Sequence, residues 1–171
     1  MLNFIAISGS LRQASANTSL LRAAVTIAPP HVTITLYEDV GDLPPFNPDI
    51  ESDPPPTVMR LRRLLQGADG ILIASPEYAH GVPGALKNAL DWMVGSTDLA
   101  GKRVALINAS DRAVHAQAAL AEIITTMGWT IVEEASPVIP VAGKEYDRAA
   151  IVANPALAEP LLAAVNALAR G

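Results

Sequence analysis

Twice in this chain an apolar run of strand character ends in a polar loop that opens a helical pattern. Phe4-Ile5-Ala6-Ile7 leads into Ser8-Gly9-Ser10-Leu11-Arg12-Gln13-Ala14-Ser15-Ala16-Asn17-Thr18, and Ile71-Leu72-Ile73-Ala74 leads into Ser75-Pro76-Glu77-Tyr78-Ala79-His80-Gly81-Val82-Pro83-Gly84. Short apolar runs between helical patterns read as strands of a parallel sheet buried on both faces. Both loops are then expected at the carboxyl ends of such strands, which is where ligands bind in open α/β sheets.

The rest of the chain repeats the alternation. Strands are expected over Leu2 to Ile7, Val32 to Tyr37, Gly70 to Ala74, Arg103 to Ile107 and Thr130 to Ile139. The second of these alternates apolar and polar residues, as a strand near a sheet edge does. Helices are expected over Thr18 to Ile27 with Asn17 as cap, Thr57 to Gln66 stopped by Gly67, Gly84 to Val94, His115 to Met127 and Pro155 to Ala169. Between Asp39 and Pro56 six prolines fix φ and remove backbone donors, which reads as an ordered or semi-ordered surface loop. The expectation is an α/β, flavodoxin-like three-layer sandwich. It forms a single domain over residues 1–171, and its five-stranded parallel sheet, of order 2-1-3-4-5, switches direction between strands one and three.

Composition excludes several classes of function. Lys+Arg 12 against Asp+Glu 17 leaves no basic stripe for nucleic acid. The absence of cysteine removes disulfides, thiolate nucleophiles and thiolate metal sites, and no metal is expected. No apolar run reaches the ~18 residues of a membrane helix, and Met1 leads straight into a strand, so a soluble cytoplasmic protein is expected.

The first loop offers the hydroxyls of Ser8, Ser10, Ser15, Thr18 and Ser19, the Arg12 guanidinium, the Asn17 amide and the free N–H groups of a helix start. That set suits a phosphate monoester. It is neither a Walker loop nor Gly-x-Gly-x-x-Gly, since no Gly-Lys-Ser/Thr follows and only Gly9 is present. Ser15 and Ser19 taken singly read equally well as turn and cap residues. In the second loop Pro76 ends the strand, Gly81 and Gly84 permit close approach or positive φ, and Tyr78 is placed to edge a planar ligand or to pack the loop. Glu77 reads better as a loop-holding carboxylate than as a reacting one.

Gly9-Ser10-Leu11-Arg12 with Ser15 and Asn17, then Ser75-Pro76-Glu77-Tyr78, Pro83-Gly84 and Leu86-Lys87-Asn88-Ala89-Leu90-Asp91-Trp92, closely resembles the NADPH-dependent FMN reductase family, which includes chromate and quinone reductases and azoreductases. The resemblance covers nearly the whole chain in order and spacing. It implies one FMN per subunit, a homodimer or homotetramer, and reduction by NADPH or NADH with electrons passed to a quinone, free flavin, azo dye or metal oxyanion. It places Ser10, Arg12, Ser15, Asn17 and Thr18 around the FMN phosphate and Pro76, Glu77, Tyr78 and Ala79 along the isoalloxazine. The helix with Leu86, Lys87, Asn88, Asp91 and Trp92 resembles the family's subunit contact, although Trp92 and Met93 read equally as core.

Two departures from the family pattern stand out. Ala79-His80 follows Tyr78 where many members have Asn, and His80 reads as its replacement or as a solvated loop residue. The glycine-rich turn after strand four is replaced by Asn108-Ala109-Ser110-Asp111-Arg112-Ala113-Val114-His115, although Ala116-Gln117 are retained. Ser110 is a candidate cofactor contact or a helix cap. Arg112 or His115 facing the flavin would raise its potential and Asp111 would lower it. Arg60, Arg62 and Arg63 read as a solvated face, or as the partner of a 2′-phosphate. No catalytic acid and base pair is expected, because the flavin carries the chemistry. The competing readings are a flavodoxin-type electron carrier and a binding protein that has lost its flavin.

Overall fold

The computed structural model describes residues 1–170. Its elements run β1 (Leu2–Ser8), α1 (Ala16–Ile27), β2 (Val32–Tyr37), α2 (Pro56–Gln66), β3 (Gly70–Ala74), α3 (Gly84–Val94), β4 (Arg103–Ile107), α4 (Val114–Thr126), β5 (Thr130–Ile131), α5 (Arg148–Ala153) and α6 (Pro155–Ala169). The strands lie in the order β2-β1-β3-β4-β5 and every pairing is parallel. The flavodoxin-like sandwich expected from the sequence is the fold.

Alternation along each strand sends successive side chains to opposite layers. Phe4, Ala6, Leu72, Ala74, Ala105 and Ile107 pack with Leu20 and Leu21 of α1, Ile151 of α5 and Leu161 and Val165 of α6. Ile5, Ile7, Ile71, Ile73, Val104 and Leu106 pack on the other face with Leu61 and Leu65 of α2, Leu86 and Trp92 of α3 and Ile124 of α4. On the outer strand β2, Thr33 and Thr35 are exposed while Val32, Ile34 and Tyr37 are buried, the half-wet pattern of an edge.

The structure differs from the sequence reading in several places. Helix α1 begins at Ala16 because Ser15, in extended backbone, accepts the Thr18 amide at 3.3 Å; Asn17 therefore lies in the first turn and is not the cap. The fifth strand pairs over Thr130–Ile131 only, since Glu133–Ala135 turn into a 3₁₀ segment. The chain returns to the sheet as one bridge between Asn108 and Val138, flanked by Pro137 and Pro140, which have no amide to extend a ladder. A helix not read from the sequence, α5, is started by Asp147, whose Oδ1 accepts the Ala150 amide at 2.8 Å. Positive φ falls not on Gly81 or Gly84 but on Ala79 and His80.

The proline-rich loop is ordered, with 3₁₀ segments at Asp39–Asp42 and Pro48–Ile50. Helix α3 holds it. Asn88 Oδ1 accepts the Phe46 amide at 2.7 Å, and Asn88 Nδ2 and Trp92 Nε1 both donate to Pro44 O, at 2.9 and 2.8 Å. Phe46 meets the Trp92 ring edge-on at 5.1 Å. Leu86 and Trp92 are fully buried, so of the residues the resemblance assigned to a subunit contact, Leu86, Asn88 and Trp92 are engaged inside the chain. Lys87 and Asp91 form an i,i+4 ion pair at 2.6 Å on the surface. Arg60 pairs with Asp39, and Arg62 donates to Trp92 O at 3.3 Å, so the expected solvated arginine face keeps only Arg63 free of such partners among the described residues. Burial raises the Tyr37 phenol above its ordinary range, opposed by Arg60 beside it. No helix among the described residues is long and apolar enough to cross a membrane.

Asn88→Ala strands the Phe46 amide without its acceptor, and it is expected to lower unfolding free energy by about 1–3 kcal/mol in denaturant titration.

Candidate functional site

Register fixes the site. Ser8 pairs with Ala74 across β1 and β3, and the Gly9 amide donates to Ala74 O at 2.9 Å. The two polar loops therefore leave the sheet side by side. A Cβ at Gly9 would stand 2.9 Å from Ser75 Cβ and 3.1 Å from a Leu86 methyl, so this approach requires glycine. Because β1 connects to α1 on one face and β3 to α3 on the other, a crevice opens between the loops.

The main cleft has a volume of about 550 Å³ and is lined by Ser10, Arg12, Ser15, Asn17, Pro76 and Tyr78, among others. An adjoining hollow of about 300 Å³ shares Asn17 and Pro76 and adds Ser75, Glu77, Asn108, Ser110, Arg112 and Ala113. Of the ten residues the sequence put forward as cofactor contacts, Thr18 and Ala79 line neither. Thr18 is buried behind the first loop, its Oγ1 2.8 Å from Ser8 Oγ. Ala79 occupies the tip of a hairpin in left-handed backbone, φ 50°. The remaining eight are brought together.

Each loop is fixed from within. Ser8 Oγ accepts the Ser10 amide at 3.2 Å, and Ser10 Oγ accepts the Arg12 amide at 3.3 Å. The Arg12 side chain makes no ion pair among the described residues. Glu77 Oε2 accepts the Ala116 amide at 2.9 Å, which makes Glu77 the side chain that caps the first turn of α4 and ties the second loop to it. Helix α4 has no cap of its own at Ala113. Ser110 serves the preceding turn, its Oγ accepting the Arg112 amide at 3.2 Å, so the reading of Ser110 as helix cap is corrected. Ser10 Oγ and Tyr78 Oη, 3.5 Å apart, bridge the two loops.

A third wall was not read from the sequence. The segment from Ala142 to Asp147 borders the main cleft. It is anchored at one end by the Val141 and Ala142 amides, which donate to Ala109 O at 3.0 and 2.9 Å, and at the other by the Asp147 cap. Gly143 turns it at φ 77°. Its only local sequence signal is Asp147 ahead of Arg148-Ala149-Ala150, a cap before a short helical run.

The residues present fit a phosphorylated polyol such as the ribityl phosphate of FMN. Asn17 is 5% exposed and its Oδ1 is buried without a hydrogen-bond partner, an arrangement that costs free energy unless a ligand hydroxyl supplies the donor. It stands in the first turn of α1, where free amides and the helix dipole favour an anion, and the unpaired Arg12 lines the same cleft. The cleft volume lies within the ~300–1,000 Å³ of small-molecule sites. No group of three or more potential metal-ligating side chains occurs among the described residues.

The chain is 38% identical to an NAD(P)H-dependent FMN reductase of Pseudomonas aeruginosa over 112 residues, 64% of this chain and 60% of that protein. It is 36% identical to a quinone reductase of Escherichia coli over 113 residues, again 64% and 60%. A probable NADPH:quinone oxidoreductase 2 of Oryza sativa is 47% identical over 95 residues, 53% of this chain and 47% of that protein. The matched regions thus span about half to three fifths of these relatives' own lengths. Among solved structures, the flavoenzyme NAD(P)H:(acceptor) oxidoreductase FerB from Paracoccus denitrificans superposes with a TM-score of 0.77 at 27% identity, covering 99% of this chain and 98% of that one. With the family model for NADPH-dependent FMN reductases matching residues 2–144, the chain belongs to the NADPH-dependent FMN reductase family.

Proposed function

We propose that the protein is an FMN-dependent NAD(P)H oxidoreductase that passes electrons to a small-molecule acceptor such as a quinone, free flavin, azo dye or metal oxyanion. The observation that carries this reading is the unpartnered, buried Asn17 amide in the first turn of α1, inside a cleft walled by both motif loops. Bound FMN would supply two-electron redox chemistry at its isoalloxazine ring, and NADPH or NADH would be the electron donor. The chain's own contribution is positioning. Ser10, Arg12, Ser15 and Asn17 would hold the phosphate and ribityl chain. Thr18 would act through Ser8, whose hydroxyl fixes the loop.

Pro76, Glu77, Tyr78 and Ser110 would border the ring system, with Ala79 shaping the hairpin tip. Glu77, engaged on the Ala116 amide, would act by holding the loop rather than by moving a proton. Arg112 lines the adjoining hollow and Asp111 does not, which supports a positive contribution to the potential from this loop. The relatives named as quinone and FMN reductases support acceptors of these classes.

The 171 residues would work as one FMN-binding domain, in the cytoplasm and as a homodimer or homotetramer. The groove between α3 and α4 supports self-association: Lys87, of one sign, and Asp91 and Glu122, of the other, border Leu90, Val94 and Ile123, a mixed polar and apolar surface suited to a second copy related by a two-fold axis.

The deciding measurement is the visible absorbance of the purified protein with FMN, followed by NADPH or NADH under anaerobic conditions. Bound flavin that bleaches directly on addition of either nucleotide is expected. Bound flavin that resists both would replace this reading with an electron carrier, and no binding would remove the cofactor. Arg12→Ala is expected to weaken FMN binding by about 1.5–3 kcal/mol, the value of a hydrogen bond to a charged group. Riboflavin, which has no phosphate, should bind wild type and variant alike in the same fluorescence titration.

A further inference from the structure

Two histidines that line neither hollow lie face to face between the second loop and α4. His80, in the hairpin after β3, and His115, in the first turn of α4, stack with ring centroids 4.4 Å apart and planes 8° from parallel. The hairpin is closed by reciprocal bonds, Tyr78 N to Gly81 O at 3.1 Å and Gly81 N to Tyr78 O at 3.0 Å. Its two central residues, Ala79 (φ 50°) and His80 (φ 59°), both sit in left-handed backbone. This two-residue turn geometry favours Gly and Asn, and alanine there is strained. A strained turn persists only where its surroundings hold it. Two contacts to α4 do so: the stack, and Glu77 Oε2 on the Ala116 amide at 2.9 Å.

We propose that His80 and His115 are positioning residues whose stack clasps the Tyr78 hairpin to α4, setting one wall of the cleft. Its consequence for cofactor binding rests on the FMN reading above; the clasp itself does not.

Parallel aromatic rings in contact attract each other, which adds to the Glu77 bond in holding the hairpin against α4. Tyr78, whose Oη lies 3.5 Å from Ser10 Oγ, keeps its place on the cleft while the hairpin stays closed.

The test is hydrogen-exchange protection of the Gly81 and Ala116 amides without added FMN, compared among wild type, His115→Phe and His115→Ala. His115→Ala removes the ring on which His80 stacks, and its Gly81 protection is expected to fall about fivefold. His115→Phe keeps a ring in that place, so its protection should match the wild type. Full Gly81 protection in His115→Ala would overturn the clasp, and so would an equal loss in His115→Phe, because the stack would then be irrelevant. FMN affinity, titrated in parallel, should follow Gly81 protection. A set in which Gly81 protection falls only in His115→Ala but no form binds FMN would refute the cofactor reading and support the clasp.

Discussion

Everything at the functional end of this molecule depends on how closely β1 and β3 approach where they leave the sheet. The Gly9 amide on Ala74 O extends the β1–β3 ladder by one bond beyond Ser8, and a side chain at Gly9 would strike Ser75 and Leu86. Without that contact the two polar loops would be separate surface turns. With it they become facing walls of one crevice, because right-handed crossovers carry α1 and α3 to opposite sides of the sheet.

The walls are then locked by polar contacts between loops rather than by apolar packing. Glu77 reaches across to the uncapped end of α4, and Ser10 meets Tyr78. Ala109 O, at the end of the adjacent strand, receives both the Val141 and the Ala142 amides and fixes the start of the third wall. These arrangements leave Arg12 without an ion pair and Asn17 Oδ1 without a hydrogen-bond partner at the first turn of α1, where both residues line the cleft. Such unmet hydrogen-bonding capacity in a buried polar group is a sign of ligand binding rather than of stability. The opposite holds on the other side of the sheet. There the polar groups of Asn88 and Trp92 are fully engaged in holding the proline-rich loop, a structural duty at positions where the family resemblance suggested a subunit contact.

The replaced turn after β4 shows how a local departure is compensated. With no side-chain cap at Ala113, α4 takes its cap from Glu77, thirty-nine residues away in sequence. The same helix end carries His115 to His80. The shape of this wall of the cleft is thus set by contacts between two loops, and neither loop alone encodes it.

The strands, the long helices and the sheet order were legible in the sequence, and eight of the ten residues proposed from it as cofactor contacts line the two adjoining hollows. Apolar periodicity and the loop residues at strand ends are local signals, and a parallel α/β sheet places both loops at the same edge once they are recognised. Ser15 rather than Asn17 as cap was a difference of two residues within one polar run, decided by backbone geometry. What lay beyond the sequence were features made by distant partners. These are the truncated β5, interrupted by a turn and prolines, the Ala142 to Asp147 wall with its short helix, Glu77 as the cap of α4, and the stacked histidines. Hydrophobic pattern determined which segments are buried, since that depends on each residue's own chemistry. Tertiary structure alone decided which polar groups meet and which are left for a ligand, since that depends on where the folded chain brings residues far apart in sequence.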